Sequence, residues 1–149
     1  MLRRIAPFLL CLLLAMTWFP GFAAGQRVYV ESVSAVVDYV HDGDTFTVTV
    51  PGWPAIVSPI QVRLHGIDAA ELGDPRPVEG SYADLARDWL TALLPPGTAV
   101  TLRAVRRDKY FRLLGKLEAT VDGEQRDVAS ELLRRGLARP YSGRGSKPW

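Results

Sequence analysis

Apolar and polar positions alternate along much of this chain with the period of two that marks strands, and change to helical spacing in two places. Arg27 to Val33 alternates and reads as a strand, and Ala35 to Val40 reads as a second, interrupted by the turn residues His41-Asp42-Gly43-Asp44. The extended pattern resumes over Thr45 to Val50 and stops at Pro51-Gly52. A third strand is predicted over Ile60 to Ile67, with Val62 and Leu64 facing one way and Arg63 and His65 the other. Thr98 to Val105 gives a fourth and Leu113 to Val121 a fifth, followed by the hairpin dipeptide Asp122-Gly123. Helical spacing runs from Ser81 to Leu94, with Leu85, Trp89, Leu90 and Leu93 on one face and Pro95-Pro96-Gly97 as the stop. It returns over Val128 to Arg135, with Leu132 and Leu133 inward, Asp127 as N-cap and Gly136 as C-cap. Leu72 to Gly80 is rich in Pro, Gly and charge and reads as a surface loop, and residues 142–149 as a mobile basic tail. Five short strands with two helices fit an α+β, mainly β, architecture: a five-stranded Greek-key barrel of the oligonucleotide-binding type with flanking helices.

The first residues follow a different pattern. Arg3 and Arg4 precede an almost uninterrupted apolar run from Ile5 to Phe19, which Pro20-Gly21 and the small residues Ala23, Ala24 and Gly25 close. That is the layout of a secretory signal, and the run is short for a spanning helix. Cleavage after Gly25 would leave Gln26 as the new N-terminus; cleavage after Ala23 and an uncleaved anchor are the alternatives. The expected division is a signal peptide over 1–25, a barrel domain over 26–141 and the tail over 142–149. Some 124 residues suffice for one domain with one core. The single cysteine, Cys11, lies in the apolar run, so the mature chain needs no disulfide. The whole chain has 18 Lys+Arg against 16 Asp+Glu. Losing Arg3 and Arg4 makes the mature charge about zero, which argues against a protein that coats nucleic acid by bulk electrostatics. Two local basic clusters remain. One is Arg103, Arg106, Arg107, Lys109 and Arg112; the other is Arg134, Arg135, Arg139, Arg144 and Lys147, for which a solvated face is an equal reading.

The candidate chemistry is acidic oxygen with guanidinium. Asp42 and Asp44 flank Gly43 at a strand corner, and a second acidic turn follows at Asp68 and Glu71. Asp-Gly is a common turn, and Asp42 needs no further role. Two acidic turns from different strands can converge on one hard cation such as Ca²⁺ or Mg²⁺. Arg63 and Arg112 offer forked donors suited to phosphate, although an arginine on a half-buried strand can simply face solvent. Two histidines in the chain argue against a histidine-based zinc site, and His65 reads as a surface or satisfied histidine.

Four segments carry a family resemblance. Val40 to Val48 has the outline Val-x-Asp-Gly-Asp-Thr-x-x-Val; Val62-Arg63-Leu64 leads through Gly66-Ile67-Asp68-Ala69-Ala70-Glu71; Asp108-Lys109-Tyr110-Phe111-Arg112-Leu113-Leu114-Gly115 forms a third motif and Leu132-Leu133-Arg134-Arg135-Gly136-Leu137-Ala138 a fourth. In this order they resemble the staphylococcal-nuclease-like, or thermonuclease, family over roughly residues 35–141. The resemblance implies a Ca²⁺-dependent endonuclease on a five-stranded barrel with three helices. It implies that Asp44, Asp68 and the backbone carbonyl of Ala69 hold the Ca²⁺. Glu71 would orient or deprotonate the attacking water, and Arg63 and Arg112 would grip the scissile phosphate. Lys109 and Tyr110 would touch a neighbouring phosphate, and Tyr141 would offer a stacking face. Two departures stand out. Ala70 replaces a common Pro, and Phe111 stands where the family usually has Gly or another turn-tolerant residue. If that turn keeps φ > 0, a Phe there is strained.

The expected function is a secreted or periplasmic Ca²⁺-dependent endonuclease acting on DNA and RNA with low sequence preference, as a monomer without stable membrane association after cleavage. The alternative is a catalytically inactive nucleic-acid-binding module on the same barrel, which would be expected to lack some of Asp44, Arg63, Asp68, Glu71 and Arg112. An envelope protein using its barrel for protein or sugar contacts has no positive feature beyond the export signal.

Overall fold

The computed structural model describes residues 30–149, so the expected signal peptide and the start of the first predicted strand lie outside the described residues. The strands are β1 (Val30–Val40), β2 (Thr45–Thr49), β3 (Ile60–Leu64), β4 (Ile67–Ala69), β5 (Ala99–Arg107), β6 (Leu113–Val121), β7 (Glu124–Asp127) and β8 (Ala138–Pro140). The helices are α1 (Pro77–Leu93) and α2 (Val128–Arg134).

The main sheet runs β3-β2-β1-β5-β6-β7 and closes on itself through a parallel pairing of β3 with β6, which makes β1, β2, β3, β5 and β6 a closed five-stranded mixed barrel. The two segments read from the sequence as separate strands before Asp42 are one strand, β1. Its first half pairs with β5 (Val30↔Val105 through Val36↔Ala99) and its second half with β2 (Val36↔Thr49 through Val40↔Phe46). A register shift between Val37 and Tyr39 lets the strand turn from one neighbour to the other. Alternation fills the barrel: Val37, Phe46, Val48, Val62, Leu64, Leu102 and Leu117 are all essentially solvent-free. Every predicted strand therefore has its counterpart, but the third is split. The turn at His65-Gly66, with Gly66 at φ +91°, ends β3 and starts the short β4, which leaves the barrel to pair with β8.

Helix α1 starts earlier than the spacing predicted. Pro77 occupies its first turn, where a missing N–H costs nothing, so the last residues of the expected surface loop are helical. Of the expected face, Leu90 is buried and Trp89 and Leu93 pack against the core, but Leu85 does not. Ala83, Ala86 and Leu90 are inward while Leu85 is 57 % exposed. Small residues face inward because the helix comes close to the Asp42-Gly43-Asp44 turn, as a Cβ built on Gly43 would stand 2.4 Å from Ala86 Cβ and 2.7 Å from Ala69 Cβ. Helix α2 is capped as expected: Asp127 accepts from the Ser130 N–H at 2.7 Å, and Gly136 follows at φ +70°. The resemblance implied three helices; the described residues contain two. After α2 the chain runs extended through β8, and Pro140, Gly143, Gly145 and Pro148 deny it a third helix. Among the described residues no helix is long and apolar enough to cross a membrane.

Candidate active site

The Asp42-Gly43-Asp44 turn is fixed by its own backbone. Asp42 accepts from the Asp44 N–H at 3.0 Å, which closes an Asx turn. The Asp44 carbonyl accepts from the Leu64 N–H at 2.9 Å, which ties the turn to β3. These bonds aim the Asp44 side chain inward, where it is 2 % exposed. Its Oδ1 accepts from the Thr45 hydroxyl at 2.8 Å and its Oδ2 from the Ala69 N–H at 2.9 Å. The β2–β3 register places Arg63 opposite Thr45, so the arginine reaches across to the same carboxylate.

Arg63 joins the two acidic turns. Its Nη1 donates to Asp44 Oδ1 at 2.8 Å and its Nη2 to Asp68 Oδ1 at 2.5 Å. Asp68 is carried on β4 immediately after the Gly66 turn and is 1 % exposed. One cation thus serves two buried carboxylates. Burial is the largest influence on Asp44 and pushes its carboxyl up to about 7, although Arg63 pulls the other way. The same carboxylates raise Arg63 against the opposing effect of its own burial. Asp68 Oδ2 is buried with no hydrogen-bond partner. A buried carboxyl oxygen without a donor marks a place for a further cation. Two carboxylates and hard oxygen chemistry suit Ca²⁺, so the residues present fit the ion that the resemblance implies. No group of three or more His, Cys, Asp or Glu side chains is clustered among the described residues, so the remaining ligands would have to come from the backbone and solvent.

The other predicted residues lie around this knot at different depths. The parallel β3–β6 register sets Leu114 beside Arg63, and Arg112 stands two residues before Leu114, at the end of the β5–β6 loop. Arg112 Nε donates to Asp108 Oδ2 at 2.8 Å. Asp108 also organises the β5–β6 loop: its Oδ1 accepts from the N–H groups of Tyr110, at 2.8 Å, and Arg112, at 3.0 Å. Tyr110 is exposed, with Lys109 Nζ 5.0 Å and the Arg112 guanidinium carbon 5.4 Å from its ring centre. Glu71 is more than half exposed and is paired with Lys147. Tyr141 follows β8, where its N–H bonds the Gly66 carbonyl at 3.0 Å and its hydroxyl the Gly145 carbonyl at 3.3 Å.

Several residues at the site escaped the sequence reading. The segment expected as a mobile tail lies across the site in this structure. Trp149 Nε1 donates to the Asp68 carbonyl at 2.8 Å, and its ring stands 3.8 Å from the Arg139 guanidinium and 5.6 Å from the Tyr82 ring. Lys147 donates to Glu71, and this hydrogen bond is the main cause of its raised pKa, with Asp68 adding to it. Asp108, Gly43 and Thr45 were likewise not singled out as supports. The Asp-x-x-x-Arg spacing of Asp108 to Arg112 was visible; nothing in the sequence pointed to Lys147 or Trp149. The second basic cluster is not one patch. Arg134 and Arg135 both bond Glu131, whereas Arg139 and Lys147 belong to the tail contacts.

Comparison with known proteins agrees with the geometry. Residues 61–148 match the family described as staphylococcal nuclease homologue. A curated protein called probable endonuclease lcl3 in Emericella nidulans is 32 % identical, over 83 % of this chain and 53 % of its own length. Proteins of the same name in Aspergillus terreus (40 % identical; 55 % of this chain, 29 % of theirs) and Leptosphaeria maculans (33 %; 60 % and 30 %) are also similar. The chain spans about half, or less, of the length of these curated relatives.

Proposed function

The chain belongs to the family of staphylococcal nuclease homologues, and on that premise we propose that it is a Ca²⁺-dependent endonuclease that hydrolyses phosphodiester bonds of DNA and RNA with low sequence preference. The observation that carries the proposal is the knot of Arg63 between Asp44 and Asp68, with Asp68 Oδ2 left over. Asp44, Asp68 and the Ala69 carbonyl would hold the ion. The chemistry supplied by Ca²⁺ there is neutralisation of charge on the phosphate.

The chain's own residues do the rest. Arg63 is the counter-cation of both carboxylates. Once another cation takes that task, its two Nη groups are free to turn to phosphate oxygens, already placed by β3. Arg112 contributes from the β5–β6 loop, with its Nε held by Asp108 and its outer nitrogens available. Forked donors aimed at an anion that gains charge in the transition state lower the barrier without reorganising. Glu71 takes the proton of the attacking water at its carboxylate, for which the Lys147 pair must open. Lys109 and Tyr110 hold a neighbouring phosphate, and Tyr141 offers a face to a base. The names of the similar endonucleases support this reading. Export to the periplasm or beyond, as a monomer without stable membrane association, is part of the proposal and rests on the composition of residues 1–25.

The test is cleavage of single-stranded DNA by the purified protein. Cleavage should appear with Ca²⁺, stop with chelator and leave 3′-phosphate and 5′-hydroxyl ends. Tight binding with no cleavage under any divalent ion would support the inactive binding module instead.

A further inference from the structure

Phe111 is the one feature of the β5–β6 loop that the nuclease reading does not use. Its backbone sits at φ +65°, the left-handed region that favours glycine. The turn imposes this on whatever residue stands there. The Phe111 N–H bonds the Asp108 carbonyl at 3.2 Å, and the Asp108 N–H bonds the Arg112 carbonyl at 3.0 Å. Asp108 Oδ1 clamps the residues on both sides. A side chain accepted at such a position normally compensates by packing, and this one does not. Phe111 is 75 % exposed and belongs neither to the core nor to the apolar layer around it. An isolated exposed apolar residue calls for no explanation, but an exposed one on a strained backbone does.

Its surroundings are cationic. The Arg107 guanidinium carbon lies 6.0 Å from its ring centre, and Lys109 and Arg112 flank it on the loop. Tyr110 beside it is exposed, and the same Lys109 and Arg112 approach its ring. Exposed aromatic faces interleaved with phosphate-binding cations match a strand whose bases are unpaired and whose backbone is anionic. We propose that Phe111 is a base-stacking residue, which grips an unpaired base of the nucleotide adjoining the phosphate held by Arg112 and so favours single-stranded substrate. The inference rests on the nuclease reading of Arg112 and adds a specificity determinant to it.

The proposal ties two measurable quantities in opposite directions. In Phe111→Gly the strain is relieved and the ring is lost, so the fold should gain while the substrate contact fails. Melting of the full chain should rise by about 2 °C or more. Binding is read by fluorescence anisotropy with Ca²⁺ present, in a Glu71→Gln background to suppress turnover. The probes are a single-stranded oligodeoxynucleotide and an abasic strand of equal length. Phe111→Gly should weaken binding of the base-bearing strand by at least about fivefold and leave the abasic strand unchanged. Phe111→Tyr should restore binding; Phe111→Leu, apolar but not aromatic, should not. Equal binding of the base-bearing strand by the parent and Phe111→Gly, with Arg112→Ala weakening both strands, would overturn the stacking role and leave the phosphate clamp standing. Equal weakening of both strands by Phe111→Gly would also overturn it. Failure of the parent to bind either strand would remove the nuclease reading together with this one.

Discussion

Arg63 and Arg112 are the same residue type, one on β3 and one at the end of the β5–β6 loop, and their substitutions should behave differently. Arg63 neutralises two buried carboxylates, so Arg63→Ala would leave both without a counter-charge and cost stability of about 3 kcal/mol or more. Its effect on turnover would be mixed with that loss. Arg112 pairs with one carboxylate, Asp108, which keeps two backbone N–H donors when the arginine is removed. Arg112→Ala should therefore keep the fold and lower turnover by about 10²-fold, the scale of losing one preorganised donor. Arg112→Lys should recover only part of it, because a lysine lacks the planar fork; steady-state kinetics beside denaturant melts would check both. Equal activity of Arg112→Lys and the parent would be incompatible with a forked contact. At this scale the sequence was most readable where a residue's neighbours dictate its surroundings. Asp44, Arg63 and Asp68 flank turns or alternate along a strand, and the barrel brings the three together. Phe111 was readable too, because its departure from glycine raised the question that its φ now answers.

The short α2 depends on one buried acid. Glu131 has a side chain 2 % exposed and accepts from Arg134 at 2.5 Å and from Arg135 at 2.7 Å. These partners, Arg134 first, hold its carboxyl down to about 2, against the opposing effect of burial. A carboxyl lowered by folding stabilises the native state fully above its unfolded value of about 4.5, and that contribution disappears as pH falls towards 2. Glu131→Gln should thus be clearly less stable than the parent at pH 7 and much closer to it at pH 2.5, by urea unfolding at the two values. A gap that stays constant would exclude the ion pairs as its source. Elements also set the limits of the sequence reading. Period-two alternation cannot show where a strand leaves one partner for another, so β1 read as two strands. Nor does it reveal strands of three or four residues such as β4, β7 and β8. On α1 the spacing of large side chains holds for Trp89, Leu90 and Leu93 and fails at Leu85. Close approach at Gly43 selects alanine at position 86, and that requirement comes from the tertiary contact.

The chain as a whole is near neutral, with 18 Lys+Arg against 16 Asp+Glu, and sets that balance against a concentrated site. Residues 142–149 contribute to that balance: Trp149 settles on β4 and Lys147 covers Glu71. If Glu71 serves as base, the Lys147 ammonium competes with its task. Lys147→Ala should raise kcat/KM severalfold at low ionic strength, and the difference should shrink in high salt because the pair is solvent-accessible. A fall in kcat/KM would instead place Lys147 among the substrate contacts. This tail contact had no counterpart in the sequence pattern, since residues 142–149 carry neither periodicity nor a capping signal. The central claim is that the carboxylates bridged by Arg63 exist to hold a cation beside a phosphate. The most direct test follows cleavage of single-stranded DNA against Ca²⁺ concentration for the parent and Asp68→Asn, a change that keeps the side chain's shape and removes its charge. The account predicts a saturable Ca²⁺ dependence for the parent and a half-saturating concentration at least about tenfold higher for Asp68→Asn, with lower turnover. Superimposable curves, or undiminished cleavage by the parent in chelator, would contradict it.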